Sequence, residues 1–284
     1  MQKRIMRRKR SRHFGAIVLF ANFCLVFLVA PSETLAQVSA AEEVARRLAD
    51  PLADIQVLLN ENDVFFFDSS KGQKKGEFYN FKLTPGYAVH VEEEGYSVIS
   101  RAVVPFNGRY RSTTDNLGRI WGLGDTTLQI LVAPKTETTW KWGVGPLFSF
   151  KTRSQPQLGG IDYGIGVAGA LVGNLSSRIS LAVLVSNSWS LDGKYSFASI
   201  QPFLSYHFKS VPGLYVQYRQ ATTINWKAEG TKVILPLGAS IGRTWLLANP
   251  GHGFDLNFGI YFFPIRPDGV PLWSLKFGVG FVLP

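Results

Sequence analysis

Ser205 and His207 stand two residues apart in SIQPFLSYHF (199–208). On an extended strand, residues i and i+2 share a face, so a hydroxyl and an imidazole would look the same way. Those are the parts of an acyl-transfer pair, in which the ring takes the hydroxyl proton and frees the oxygen as a nucleophile. A working pair needs a third group that orients the ring, and no acid lies nearby in the sequence to do so. Serine-rich strands produce such pairs by accident, and a polar wall lining is the simpler reading. His90 and His252 have no histidine within ligand spacing, and Glu92, Glu93 and Glu94 read as a solvated acidic turn. Gly122-Leu123-Gly124-Asp125 lacks the Lys-Ser/Thr and the following helix of a phosphate-binding loop. No catalytic set, metal or cofactor is expected.

The informative polar residues are those embedded among large apolar ones. Lys141, Lys151, Gln201, His207, Arg219, Asp255, Asn257 and Lys276 all fall in segments rich in Trp, Phe, Leu, Ile and Val. On a strand that crosses lipid, a charge facing hydrocarbon costs about 2–4 kcal/mol at the midplane, so these side chains should face inward. They are the candidate lumen lining; Arg101, on the same face as Ile99, stays open. A basic excess in the lining would favour anionic solutes. A salt-bridge network that fills the interior is the equal alternative, because a twelve-stranded barrel is narrow enough for side chains to occlude.

The elements that would carry these residues show a period of two. In 254–263, Phe254, Leu256, Phe258, Ile260 and Phe262 alternate with Asp255, Asn257 and Gly259. In 273–283, Trp273, Leu275, Phe277, Val279, Phe281 and Leu283 alternate with Ser274, Lys276, Gly278 and Gly280. The same pattern gives twelve strands: 54–67, 77–90, 96–106, 123–133, 141–151, 161–172, 179–190, 196–208, 214–224, 231–246, 254–263 and 273–283. The greasy face carries aromatics near strand ends (Trp140, Trp142, Phe148, Phe150, Trp273, Phe281), as interfacial girdles do. The opposite face favours Gly, Ser, Thr, Asn and Gln over the Lys and Glu of a water-facing sheet. Backbone groups in lipid must all be paired, and only a sheet without edges achieves that. The expected fold is an all-β, closed antiparallel transmembrane barrel of about twelve strands.

Residues 1–36 read as a cleavable signal peptide: a basic start, an apolar run over 15–30, and small residues at Thr34-Leu35-Ala36, with Ala40 as the fallback site. The apolar run falls short of the roughly 20 residues of a bilayer-spanning helix. Removing this segment takes seven basic residues and one acid, which turns a net charge of +10 into 23 basic against 19 acidic residues, a net of +4. Nucleic acid is therefore not an expected partner. The single Cys24 also leaves with the leader. Residues 37–53 form a short helical segment ended by Pro51, serving as periplasmic stub or plug, and 54–284 form the barrel.

Six segments, LADPLADIQVLLNEN (48–62), SVISRAVVPF (97–106), GLGDTTLQILVAPK (122–135), WGVGPLFSF (142–150), SIQPFLSYHF (199–208) and PIRPDGVPLWSLKFGVGFVLP (264–284), occur in this order. Together they resemble the Gram-negative outer-membrane family of transporter, neuromedin U-like or MetA-pathway phenol-degradation proteins. The resemblance covers the mature chain and implies one outer-membrane barrel that transports small compounds, aromatic ones among them. It brings no catalytic residues, and the chain departs from many barrels by ending in Val282-Leu283-Pro284 rather than an aromatic. The expected function is a channel or facilitator for small aromatic or anionic solutes in the bacterial outer membrane, with membrane lipids, the barrel-assembly machinery and the solute as partners. A non-conducting structural or adhesion barrel acting through its outer loops is the alternative, and a lipid-modifying barrel enzyme ranks behind both.

Overall fold

Alternation along the chain becomes fourteen antiparallel strands of a single sheet in the computed structural model, which describes residues 35–53, 55–67, 76–91, 95–111, 120–135, 138–158, 160–247 and 251–283. The expected signal segment through residue 34, loop 68–75 and residues 112–119 of the expected loop 107–122 lie outside the described residues. Among the described residues one helix, α1 (Leu35–Ala49), precedes β1 (Gln56–Phe67), β2 (Gly76–Val91), β3 (Tyr96–Arg111), β4 (Ile120–Leu123), β5 (Thr126–Pro134), β6 (Trp140–Phe150) and β7 (Gly164–Asn174). The remainder are β8 (Ile179–Ser190), β9 (Ser196–His207), β10 (Leu214–Tyr218), β11 (Thr222–Asn225), β12 (Val233–Leu246), β13 (Gly253–Ile265) and β14 (Trp273–Leu283). The sheet closes where β1 meets β14, in register from Gln56↔Leu283 to Phe66↔Trp273. No edge is left along that seam, which is the condition for strands to exist in hydrocarbon.

Twelve staves make the wall, as the alternation predicts, and the two extra strands have local causes. β4 continues past the end of β5 and pairs only with β3. The expected strand 214–224 is instead broken into β10 and β11 at Arg219-Gln220-Ala221. Extending the flanking registers places Pro202 of β9 opposite Gln220 and Pro236 of β12 opposite Ala221. Neither proline can donate to the ladder, so the stave loses backbone partners on both sides at once. Side chains make up part of the loss: Gln201 Nε2 donates to the Arg219 carbonyl at 3.0 Å, and Tyr218 OH donates to the Pro236 carbonyl at 2.7 Å.

The outward face is an apolar belt. Trp142, Val144, Ile165, Val167, Leu171, Val185, Trp189, Leu204, Ile260, Phe262, Phe277 and Phe281 are exposed on successive staves. A continuous surface of this kind on a water-soluble monomer would far exceed the few hundred Å² normally tolerated. Hydrocarbon is the solvent that suits it.

The inward face is not uniformly polar, and here the sequence expectation needs correcting. At the end of the barrel where Gln56 and Leu283 lie, Ile99, Leu131, Ala133, Leu147, Ala168, Ala170, Ala182, Leu184 and Phe203 form one buried cluster around Leu52. Both faces of β5, β7 and β8 are apolar in that half, so the interior there is a dry core. α1 completes it. Its buried positions Ala41, Val44, Ala45, Leu48 and Ala49 follow the i, i+3, i+4, i+7 spacing of one helical face. Val44 and Leu48 pack on Leu59 and Val282. Two wall glycines make the seat: a side chain at Gly253 would run into Val44, and one at Gly143 into Leu52. The opposite face of α1 carries the i,i+4 pairs Glu42–Arg46 and Glu43–Arg47, at 2.8 and 2.9 Å. The segment expected as stub or plug is thus docked across one barrel end.

Candidate functional site

β1 supplies the centre of the lumen. Along QVLLNENDVFFF, Leu59, Glu61, Asp63, Phe65 and Phe67 point inward, and Asn60, Asn62 and Val64 point outward. β14, hydrogen-bonded to it, brings Lys276, whose Nζ lies 3.2 Å from Glu61 Oε1 and 3.5 Å from Asp63. β2, on the other side, brings Lys82, with its Nζ 2.9 Å from Asp63 Oδ2. The broken stave, beyond β14, β13 and β12 around the barrel, reaches across the lumen: Arg219 Nε is 3.4 Å from Glu61 Oε1, and Gln220 Nε2 donates to Asp63 Oδ1 at 3.0 Å. Arg219 also lies over the Phe203 ring, 5.3 Å from its centroid. The two carboxylates are held between cations from three directions, and this layer crosses the middle of the barrel.

A second buried network stands beside it. Asp255 accepts from Tyr215 OH at 2.9 and 3.0 Å, from Thr244 Oγ1 at 2.8 Å and from Asn257 Nδ2 at 3.1 Å. A buried carboxylate with this many donors is well satisfied and holds β10, β12 and β13 in one arrangement.

On the side of the ionic layer away from α1, the lumen opens into a cavity of about 430 Å³. Its walls are Phe65, Phe67, Phe78, Ile234, Phe263, Val270 and Pro271, and its floor is Asp63, Lys82 and Gln220. Phe65 lies 6.0 Å from both Phe78 and Phe263, centroid to centroid, so three strands share one aromatic wall. Apolar walls with a few convergent polar groups are the usual make-up of a small-molecule pocket, and this volume is within the usual range.

The segment after β6 packs against β3 and β4. Asn107 donates to the Leu158 carbonyl at 3.0 Å in a buried bond, and Asn80 donates to Asn107 from the lumen face of β2. Asp125 holds the segment: it accepts from Arg153 Nη1 at 3.1 Å, the Arg153 backbone at 3.2 Å and the Asp162 backbone at 2.8 Å. Gly160 has φ +142° and leaves no room for a Cβ against Asp125. Asp125→Ala is expected to release this segment. Loss of charge-assisted bonds worth about 1.5–3 kcal/mol should speed tryptic cleavage at Arg153 by roughly tenfold or more while the barrel stays intact.

At the α1 end, a cleft of about 260 Å³ runs between the helix and β6–β8, lined by Arg46, Arg47, Asp50, Lys141, Asn174 and Ser180 among others. Arg46 Nη1 donates to Asn174 Oδ1 at 2.8 Å, tying helix to wall. Asp50 accepts from the Leu52 backbone at 2.7 Å, and its Oδ2 is 4.0 Å from Lys141 Nζ. Burial pushes the Asp50 carboxyl above its ordinary value of 3.8, against the smaller lowering by Leu52 N–H and Lys141. The docked helix therefore binds the Asp50 proton more tightly than the free helix does. Docking should be firmest at and below the ordinary carboxylate value and loosen as pH rises through the raised one. Amide exchange across α1 checks this; Asp50→Asn should flatten the dependence.

The structure distributes the sequence candidates as follows. Arg219, Asp255, Asn257 and Lys276 gather in the two mid-lumen networks, and half-buried Gln201 braces the broken stave. Lys141 and Lys151 sit near opposite mouths and are half exposed; Lys151 lies just past β6, 3.5 Å from Asp162. His207 is buried at the α1 end with its Nε2 3.2 Å from Ser180 Oγ. Ser205 Oγ has no hydrogen-bond partner among the described residues, and neither has His207 Nδ1. The hydroxyl beside the imidazole is thus across the strand pair rather than two residues along the chain, and among the described residues no acid bonds to the ring's other nitrogen. Among the described residues, no three His, Cys, Asp or Glu gather as a metal set. Sequence reasoning missed Glu61, Asp63, Lys82, Tyr215 and Gln220, and the structure settles Arg101 as inward, beside the ionic layer.

No protein-family model matches the sequence, and no curated protein matches it. Solved structures do resemble the fold. An outer membrane channel from Pseudomonas putida F1 superposes with TM-score 0.60 at 13% identity, covering 81% of this chain and 94% of that one. A NanC porin gives TM-score 0.48 at 11% identity, covering 81% and 99%; the CymD monoaromatic hydrocarbon channel gives 0.45 at 8%, covering 83% and 91%. What this chain shares with the first of them is its architecture: a closed antiparallel barrel of the outer-membrane type.

Proposed function

We propose that the chain is an outer-membrane channel that admits small solutes through an aromatic vestibule. In this reading the barrel spans the bacterial outer membrane, with the α1 end in the periplasm and the 430 Å³ cavity open to the cell surface. Residues 1–36 are the signal peptide, 37–53 the plug and 54–284 the barrel, inserted by the barrel-assembly machinery. The fold likeness to an outer membrane channel supports the location. The six ordered segments support membership of the neuromedin U-like transporter family. The observation that carries the function is the cavity itself: a ring fits among Phe65, Phe78 and Phe263, and Lys82 at the floor offers a cation to an acidic or hydrogen-bonding end. A small aromatic compound with a polar or anionic end matches that chemistry. The inward Lys141, Lys151, Gln201, His207, Arg219, Asp255, Asn257 and Lys276 then line or brace the path, and none acts as a catalyst.

Benzenesulfonate, which stays anionic and cannot cross lipid unaided, gives the test. Proteoliposomes should take it up faster than protein-free vesicles, and faster than a ring-free sulfonate. Phe65→Ala and Phe263→Ala should each slow entry several-fold, since an aromatic contact is worth about 0.5–1.5 kcal/mol. Rates equal to those of protein-free vesicles would end the reading. The filled middle of the barrel favours one competitor, a non-conducting barrel that works through its surface loops, and the same null result would be its signature.

A further inference from the structure

The plug and the ionic layer do not pack directly on each other. Between them lies a void of about 30 Å³, space for one or two water-sized groups. Three arginines line it from three different elements: Arg101 of β3 and Arg219 of the broken stave and, at its rim, Arg47 of α1, whose head is half exposed. Arg47 is engaged by Glu43 at 2.9 Å. Arg219 lies over Phe203, and its Nε, ion-paired with Glu61 at 3.4 Å, makes no hydrogen bond among the described residues. Arg101 has no carboxylate within ion-pairing distance among the described residues.

Among the described residues, positive charge predominates around the void. Among the described residues the layer holds four cations (Lys82, Arg101, Arg219, Lys276) and two carboxylates (Glu61, Asp63), both already shared among Lys82, Arg219 and Lys276, while the nearby Asp255 is taken up by Tyr215, Thr244 and Asn257. Asp50, the one acid that lines the void among the described residues, turns its Oδ1 to the Leu52 backbone and its Oδ2 toward Lys141 in the neighbouring cleft. Cations shielded from bulk water in such excess are costly unless a counter-charge joins them.

We propose that this void is a binding site for one small monovalent anion, held by Arg101 and Arg219 with Arg47 as its third wall. The ligand chemistry is that of a halide ion or of a single carboxylate head. Because one wall belongs to α1 and the other two to the barrel, a bound anion bridges plug and wall and favours the docked plug. A carboxylate arriving from the aromatic vestibule would compete for the same guanidinium edges; that extension rests on the channel reading, while the anion site does not.

The test uses the full-length protein purified in gluconate, an anion too large for the void. Bromide titrated in at constant ionic strength should raise the melting temperature, and bromide-soaked crystals should show an anomalous peak between Arg101 and Arg219. Arg101→Gln should abolish both responses. Glu61→Gln, which removes a competing carboxylate, should tighten bromide binding, so the proposal remains testable if Arg101→Gln fails to fold. Benzoate that displaces bromide would identify the ligand as a solute head group; benzoate that does not would identify it as a free halide. Melting identical in bromide and gluconate, with no peak between the two arginines, would overturn the site. Bromide binding together with absent benzenesulfonate uptake would instead retain the site and remove the channel.

Discussion

Lys276→Met is expected to lower the unfolding free energy of the barrel by about 3–5 kcal/mol, measured by urea titration of refolding into lipid vesicles. The size comes from what the ammonium leaves behind: it is buried, 3.2 Å from Glu61 and 3.5 Å from Asp63, so one substitution strips a cation from two carboxylates. Breaking a buried ion pair from one side costs this much because the remaining charge stays in a poorly solvating interior. Methionine has nearly the same length and apolar stem, so packing loss contributes little. Adding Glu61→Gln should recover most of the loss, because the remaining carboxylate, Asp63, keeps Lys82 at 2.9 Å and the Gln220 amide at 3.0 Å. The double-mutant cycle should show a coupling of roughly 2 kcal/mol or more, against the near-additivity of residues that do not touch.

Leu52→Asp has the second large expected effect, and it acts on the plug rather than the wall. Leu52 sits in the apolar cluster with Ile99, Leu131, Leu147, Leu184 and Phe203. Replacing it forfeits about 1.5–3 kcal/mol of burial and adds the cost of a carboxylate in a dry site, so undocking by at least about 4 kcal/mol is expected. That is a shift of roughly a thousandfold between docked and free helix. A cysteine placed at Ala45, which is 4% exposed, reports it in a chain whose Cys24 is replaced by serine. A water-soluble maleimide should label it slowly in the parent and rapidly with Leu52→Asp. Leu52→Met, similar in volume, should leave the slow rate in place.

The wall was legible in the sequence because the two solvents differ: hydrocarbon outside selects large apolar residues at every second position, and β13 and β14 show this without interruption and β8 with one break at Asn187. Their bounds match the expected ones within a residue or two. The ionic layer was half hidden for a specific reason. In β1 the residues Asn60-Glu61-Asn62-Asp63 are polar on both faces, so alternation gives no parity there. The outward asparagines survive near lipid because they satisfy each other: Asn62 Nδ2 donates to Asn60 Oδ1 at 2.7 Å, and Tyr79 OH donates to Asn62 Oδ1. The break at Arg219 was also encoded, in Pro202 and Pro236, but each proline sits in a different strand and only the register brings them opposite one stave. The pairing of His207 with Ser180 has the same origin. Cross-strand neighbours are a property of register, whereas a single chain read in order shows only i and i+2.

That register also turns the lumen into a series of layers: a docked helix, an arginine-lined void, an ionic cross-brace and an aromatic vestibule. A wide, permanently open pore does not fit such an interior. In the channel reading, a narrow path gated at the helix does.

Single-channel recording in planar bilayers, comparing the parent chain with Leu52→Asp, tests this most directly. Small discrete current steps in the parent, and larger or longer-lived steps once the helix is undocked, are the predicted result. A baseline that stays flat in both, with correctly folded protein in the bilayer, would contradict it.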